Sequence, residues 1–186
     1  EPDFEPMFAT LEELGLLTFM HPSPNISHAS LQDYTLHTTL AFPTETTIAA
    51  ARLIYAGIFE RYPSLNLILA HGGGTLPYLP DRINLGYNAS TYEHNPDCHK
   101  HISKPPGDYF KQIYYDSLLA GSASLQFLIG LVGANRVVFG TDYPFEVGDP
   151  EGKLAMPAIE SLPEPDRGNI LGGNASDVLA TAGIQN

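Results

Sequence analysis

One cysteine, Cys98, stands in 186 residues. No disulfide can form within the chain, which suits a reducing compartment and makes the cytosol the expected location. Positive charge is also scarce. Nine Lys+Arg against 21 Asp+Glu leave a net charge of −12 with histidine neutral, and so acidic a chain repels phosphate backbones, which argues against a nucleic-acid partner. Long apolar runs are missing too. The longest, Leu125 to Ala134, is interrupted by Gln126, Gly130 and Gly133 and falls short of the roughly 20 residues of a membrane helix, so no membrane partner is expected. The opening Glu1-Pro2-Asp3-Phe4 has the pattern of neither a signal peptide nor a transit peptide. Asn-x-Ser sequons at Asn25, Asn88 and Asn174 are read as chance without a secretion signal. What the chain does have is material for a core. With 43% hydrophobic and 16% charged residues it reads as one globular domain over 1–186, not a disordered acidic tail.

The order of apolar runs predicts the elements. Met7, Phe8, Leu11 and Leu14 recur at helical spacing, with Pro6 at the start and Gly15 as the stop. Leu16 to Met20 is a buried strand ending at His21-Pro22. Residues 22–42 form a long polar connection. Pro43 to Glu60 reads as one helix capped by Thr44, with Ile48, Ala51, Leu53, Ile54, Ala56 and Phe59 on its apolar side. Leu65 to Ala70 is a second strand, running into His71-Gly72-Gly73-Gly74, with a helix over about 76–85 behind it. Gln112 to Tyr115 is a third strand, ending at Asp116; a helix from Ser122 to Leu131 stops at Gly133. Arg136 to Phe139 is a fourth strand, running into Gly140-Thr141-Asp142, and helices near 151–161 and 174–182 close the chain.

Strands alternating with helices imply an α/β fold with a parallel sheet, whose C-terminal strand tips share one edge. His21, His71 and Asp142 all follow such tips and should converge, and two imidazoles with a carboxylate suit a divalent ion. Asp116 has the weaker case, since a strand-end aspartate often only caps the next helix. The three glycines after His71 lack the Lys-Ser/Thr of a P-loop, and they read as clearing space rather than cradling a phosphate. His94, Cys98, His99 and His101 have the composition of a metal site, but they lie in a polar loop with no strand to hold them. That group is read as solvated; His28 and His37, in the loop after the first strand, could reach a substrate, but such residues are more often simply exposed.

The strings His21-Pro22, Ala70 to Pro77 continuing to Arg82, Tyr114 to Ser117, Gly140 to Phe145 and Ile170 to Ala175 together resemble the amidohydrolase-related metal-dependent decarboxylases. Aminocarboxymuconate-semialdehyde decarboxylase typifies that family. The segment Phe42 to Thr47 is similar to its salicylate and 6-methylsalicylate branch. The resemblance implies a distorted (β/α)8 barrel of the TIM type, of which this chain supplies the C-terminal half, strands five to eight. It implies His21 and Asp142 as metal ligands, His71 and Asp142 as catalytic groups, and zinc as the ion, with manganese second. Arg82 matches an arginine that reaches a neighbouring subunit's site and holds a substrate carboxylate, which implies a homodimer or larger. A full barrel takes about 250 residues, and the family's strand-one His-x-His pair has no counterpart. His99-Lys100-His101 lies between strands six and seven and is not that pair, so the domain is read as N-terminally incomplete.

By resemblance the parent is a carboxy-lyase acting without oxidation on a small aromatic or muconate-type carboxylic acid, 6-methylsalicylate among the candidates. Asp142 is the candidate proton donor to the ring, with His71 as acid/base or electrostatic partner; the other route has His71 activating water. Two further readings stay open. One is a metal-dependent hydrolase of a lactone or amide, the other an inactive fragment or interaction module. The isolated chain is expected to be inactive.

Overall fold

Short runs of apolar residues, each bounded by a polar or glycine-rich turn, set the centre of the molecule. The computed structural model describes residues 2–23, 26, 29–88 and 96–182. Strands β1 (Leu17–Met20), β2 (Asn66–Leu69), β3 (Tyr114–Asp116) and β4 (Val137–Val138) form a four-stranded sheet in the order β1-β2-β3-β4. Every pair is parallel. Helix α1 (Glu5–Glu13) precedes β1, and α2 (Phe42–Tyr55) with α3 (Ile58–Arg61) connects β1 to β2. Helix α4 (Pro80–Tyr87) lies between β2 and β3, and α5 (Ser122–Val132) between β3 and β4. Helices α6 (Met156–Glu160), α7 (Asp166–Gly168) and α8 (Asn174–Thr181) follow β4. Among the described residues no helix is long and apolar enough to cross a membrane.

The register divides the sheet into two faces. Met20, Leu69, Tyr115 and Val137 align across the strands. They join Ala50 and Ile54 of α2, Phe59 of α3, Leu125 and Leu128 of α5, and Ile159 of α6 in one core. Each large aliphatic or phenylalanine side chain among them contributes roughly 1.5–3 kcal/mol by leaving water, so this face carries most of the burial. Phe19, Ile68 and Tyr114 align on the opposite face, where Phe19 is 51% exposed. Ile68 and Val138 are buried there, but neither belongs to the helix-side core.

Several boundaries differ from those the sequence predicts. The single helix over 43–60 is two. Gly57, in the left-handed region at φ 72°, separates α2 from α3, and a Cβ there would lie 2.2 Å from the His101 carbonyl oxygen. Thr44 does not cap: a π-helical turn, His37–Ala41, runs directly into α2, and the Thr44 hydroxyl donates back to Leu40 instead. The buried stripe of α2 is Thr46, Ala50 and Ile54, residues four apart. Ile48, expected inside, is 51% exposed beside a groove between α1 and α2. Pro77 and Pro80 split the expected 76–85 helix into a 3-10 turn, Leu76–Tyr78, and α4. Strand β4 stops at Val138 because the Phe139 amide donates to the Ile170 carbonyl rather than to the ladder. Asn174 has no free amide for a glycan, since its buried side chain donates to the Ala134 and Val137 carbonyls.

Candidate metal centre and active site

The parallel ladder delivers its chemistry at one edge. His21 follows β1 directly, His71 follows β2 after Ala70, and Asp142 lies in the turn after β4. The Ala70 amide donates to the Met20 carbonyl, so the first two tips advance together. His21 Nε2 lies 3.2 Å from Asp142 Oδ1, and His71 Nε2 lies 3.6 Å from Asp142 Oδ2. One ligand atom from each of the three falls within 4.8 Å of the others. Their side chains are 30%, 14% and 10% exposed respectively, so the cluster is sheltered yet open from one side.

Two of the three residues sit in unusual backbone. His71 and Asp142 both have φ 55°, a left-handed conformation that a residue with a Cβ seldom adopts and that clusters at functional sites. At Asp142 the loop braces itself. The Asp149 amide donates to the Thr141 carbonyl and the Phe145 amide to the Asp142 carbonyl. The buried Asp149 carboxylate accepts from the Leu154 and Ala155 amides. At His71 the turn continues through Gly72, Gly73 and Gly74, all with positive φ. A Cβ on Gly74 would lie 2.0 Å from the Pro43 carbonyl oxygen, and one on Gly73 would lie 2.8 Å from the Tyr115 ring. The glycines clear space, as the sequence predicts. The turn also cradles an anion, and that anion is internal: Asp116 Oδ1 accepts from the Gly72 and Leu118 amides at 2.8 and 3.1 Å. Burial pushes the Asp116 carboxyl up, and these amides, that of His71 and the nearby His71 ring pull it back.

The tautomer of His21 is informative. Its Nδ1 lies 2.9 Å from the Pro22 carbonyl oxygen, which only accepts, so Nδ1 carries the proton in that bond. A neutral ring in that tautomer presents the Nε2 lone pair toward a carboxylate oxygen 3.2 Å away. Two acceptors facing each other at that distance need a proton or a cation between them. A ring whose second nitrogen donates to a backbone carbonyl is also the usual form of a metal-binding histidine. The donor set therefore fits a divalent ion.

Three aromatic rings lie against His21, on one side of the cluster. Phe145 stacks on His21 at 5.8 Å between ring centroids, Phe19 at 6.3 Å, and Phe42 meets it edge-on at 6.5 Å. Phe19 was findable: it lies two residues before His21 and shares its face of the strand. The remaining predicted residues lie elsewhere. Arg82 is exposed on α4, and the trio forms without it. His37 packs its ring on Phe42, and His99 on Tyr87. Cys98 lies near Gly86 and His101 beside Gly57. Among the described residues, His21, His71 and Asp142 are the group of three metal-capable side chains that comes together. His28 and His94 lie outside the described residues, as does the sequon at Asn25.

Comparison with known proteins gives a consistent answer. The amidohydrolase family model matches residues 1–180. The chain is similar to 2-amino-3-carboxymuconate-6-semialdehyde decarboxylase of Dictyostelium discoideum, 34% identical over 180 residues, covering 96% of this chain and 49% of that one. The structure of 5-carboxyvanillate decarboxylase from Sphingomonas paucimobilis matches with a TM-score of 0.79 at 27% identity, over 97% of this chain and 54% of the other. Dihydroxybenzoic acid decarboxylase from Polaromonas, solved with bound manganese and the inhibitor 2-nitroresorcinol, matches with a TM-score of 0.74 at 30% identity, over 94% and 53% of the two chains. The chain spans about half the length of the curated relatives it matches.

Proposed function

Since this chain belongs to the amidohydrolase family, we propose that it is the C-terminal half of a metal-dependent decarboxylase acting on a small aromatic acid with a hydroxyl beside the carboxyl group. The observation that carries this reading is the His21 ring, with Nδ1 bonded to Pro22 and Nε2 facing Asp142, at the strand edge where such folds place their chemistry. His21 and Asp142 hold the ion, and the family's strand-one histidine pair, in the other half, completes its ligands. A bound divalent ion supplies Lewis acidity, drawing electron density from the substrate oxygens it meets. Two imidazoles with a carboxylate suit zinc or manganese. The manganese in the Polaromonas relative makes that ion the first to load, with zinc second.

The residues of this chain do the rest. Phe145, Phe19 and Phe42 form an apolar wall against which an aromatic ring lies flat, and they keep water from the reacting carbon. Arg82 reaches the site of a neighbouring subunit and holds a carboxylate, so the working unit is a dimer or larger. Asp142 delivers a proton to the ring carbon that bears the carboxylate, giving a tetrahedral carbon. The bond from that carbon to CO2 then lies across the ring plane and breaks. Its electron pair returns to the ring and CO2 leaves. His71, with Nε2 3.6 Å from Asp142 Oδ2, returns a proton to Asp142 and takes its own from water.

The test loads the whole protein with Mn2+ or Zn2+ and measures CO2 release from 2,6-dihydroxybenzoate, 6-methylsalicylate and 5-carboxyvanillate, beside opening of an aryl lactone. CO2 release should disappear in Asp142→Asn and His71→Ala, and metal content should fall in His21→Ala. Lactone opening without CO2 release would assign the site to hydrolysis instead.

A further inference from the structure

The backbone under His71 is the part of the site that its own sequence explains least. His71, Gly72, Gly73 and Gly74 have φ of 55°, 58°, 77° and 66°, four left-handed residues in succession. The one that is not glycine is the one whose side chain the site uses. A left-handed residue with a Cβ is disfavoured by its own sterics, so the turn must be held from outside. The imidazole does not hold it: Nδ1 is buried without a hydrogen-bond partner among the described residues, and Nε2, 3.6 Å from Asp142, is beyond a hydrogen bond. One carboxylate does. The pairing of Leu69 with Tyr115 brings the next residue, Asp116, level with Ala70, one position before His71. Asp116 is 3% exposed, and its Oδ1 takes the Gly72 amide at 2.8 Å and the Leu118 amide at 3.1 Å. A single oxygen thus ties the tip of β2 to the tip of β3.

We propose that Asp116 is a positioning residue: through the backbone of the His71-Gly72 turn it sets the direction in which His71 presents Nε2 to Asp142, without itself touching the substrate. The inference rests on the reading of His71 as the acid/base of the decarboxylase. It depends on hydrogen-bond acceptance at one place rather than on charge alone, so Asn, which keeps an acceptor oxygen there, should serve and Ala should not.

The experiment compares Asp116→Asn and Asp116→Ala in the whole protein with two readouts. The first is the set of histidine ring resonances in 15N-labelled protein without added metal or substrate. The second is kcat and KM for CO2 release from 2,6-dihydroxybenzoate. In Asp116→Ala the His71 resonances should move while those of His37 and His99 stay. Its kcat should fall about 10²-fold, the size of a roughly 1 Å misplacement, with KM within about twofold. Asp116→Asn should return both the His71 resonances and most of kcat. Should the Ala protein not fold, Asp116→Glu replaces it, because one more methylene displaces the acceptor and should move the same resonances. A variant that melts at lower temperature but leaves the His71 ring signals in place would reduce Asp116 to a structural aspartate and overturn the proposal. Equal kcat loss in Asn and Ala would also overturn it. The ring spectra need no turnover, so a parent protein that releases no CO2 would sink the decarboxylase reading and leave the positioning role to be judged on the spectra.

Discussion

The two faces of the sheet are built to different degrees. Toward the helices, Leu69, Tyr115 and Val137 are wholly buried in a core that takes in α2, α3, α5 and α6. On the other face Phe19 stands half in water, yet that face leads to the edge where His21 meets Asp142. The difference teaches which part of this half-barrel is self-sufficient. Packing that holds the ladder together is supplied by the chain's own helices, whereas on the other face Ile68 and Val138 are buried but the edge at Phe19 is left open. Structural stability and site completeness are therefore separable here.

Three substitutions would break or sharpen that contrast. The largest effect is expected from Leu69→Ala, which empties a fully buried position and should lower stability by about 2–5 kcal/mol, read as a shift in urea midpoint. Next comes Glu60 of α3, which ties the helix side to the 103–109 segment. Its carboxylate accepts from the Ser103 hydroxyl and amide and from the Tyr109 hydroxyl, and the Ser103 hydroxyl first, then that of Tyr109, holds its pKa down to about 2. Because the folded value is depressed, the unfolded chain takes up the proton first. The contribution is whole above the ordinary carboxyl range near 4.5 and is lost as pH falls toward about 2. Glu60→Gln should flatten that acid limb in a series of thermal melts between those limits, and an unchanged acid limb would count against the tie. The smallest effect belongs to Phe19→Ala. On a solvated face it should cost under about 1 kcal/mol, although its ring lies against His21. A loss as large as that of Leu69→Ala would mean the open face is packed in solution, and the contrast between faces would fail.

The sequence made the sheet and its edge legible because their signals are local. Leu65 to Ala70 runs unbroken into His71, and a parallel ladder leaves such tips no other place to go. Helix breaks were less legible. Gly57 reads as tolerable within a helical run until the His101 carbonyl is found against it, and that neighbour comes from a distant loop. Thr44 looks like a cap until the π-helical turn before it is seen to continue the helix backward. The partners of Asp116 are hidden for the same reason. A strand-end aspartate usually serves the segment that follows, and this one shares its oxygen between the Leu118 amide and that of Gly72; only the β2–β3 register makes the second partner visible. The candidate trio was readable residue by residue, whereas the ring tautomer of His21 and the aromatic wall needed coordinates.

Strand β4 owes its last connections to residues made well after it. The Phe139 amide meets the Ile170 carbonyl, and Asn174 closes on the carbonyls of Ala134 and Val137. During synthesis, β2 can dock on β1 and β3 on β2 as each is made, since every neighbour in the sheet is also the neighbour in sequence. Strand β4 can add to them but is not secured until residues 170–174 leave the ribosome. Asp142 lies between those events, so the carboxylate facing both histidines is the last of the three to acquire a fixed address.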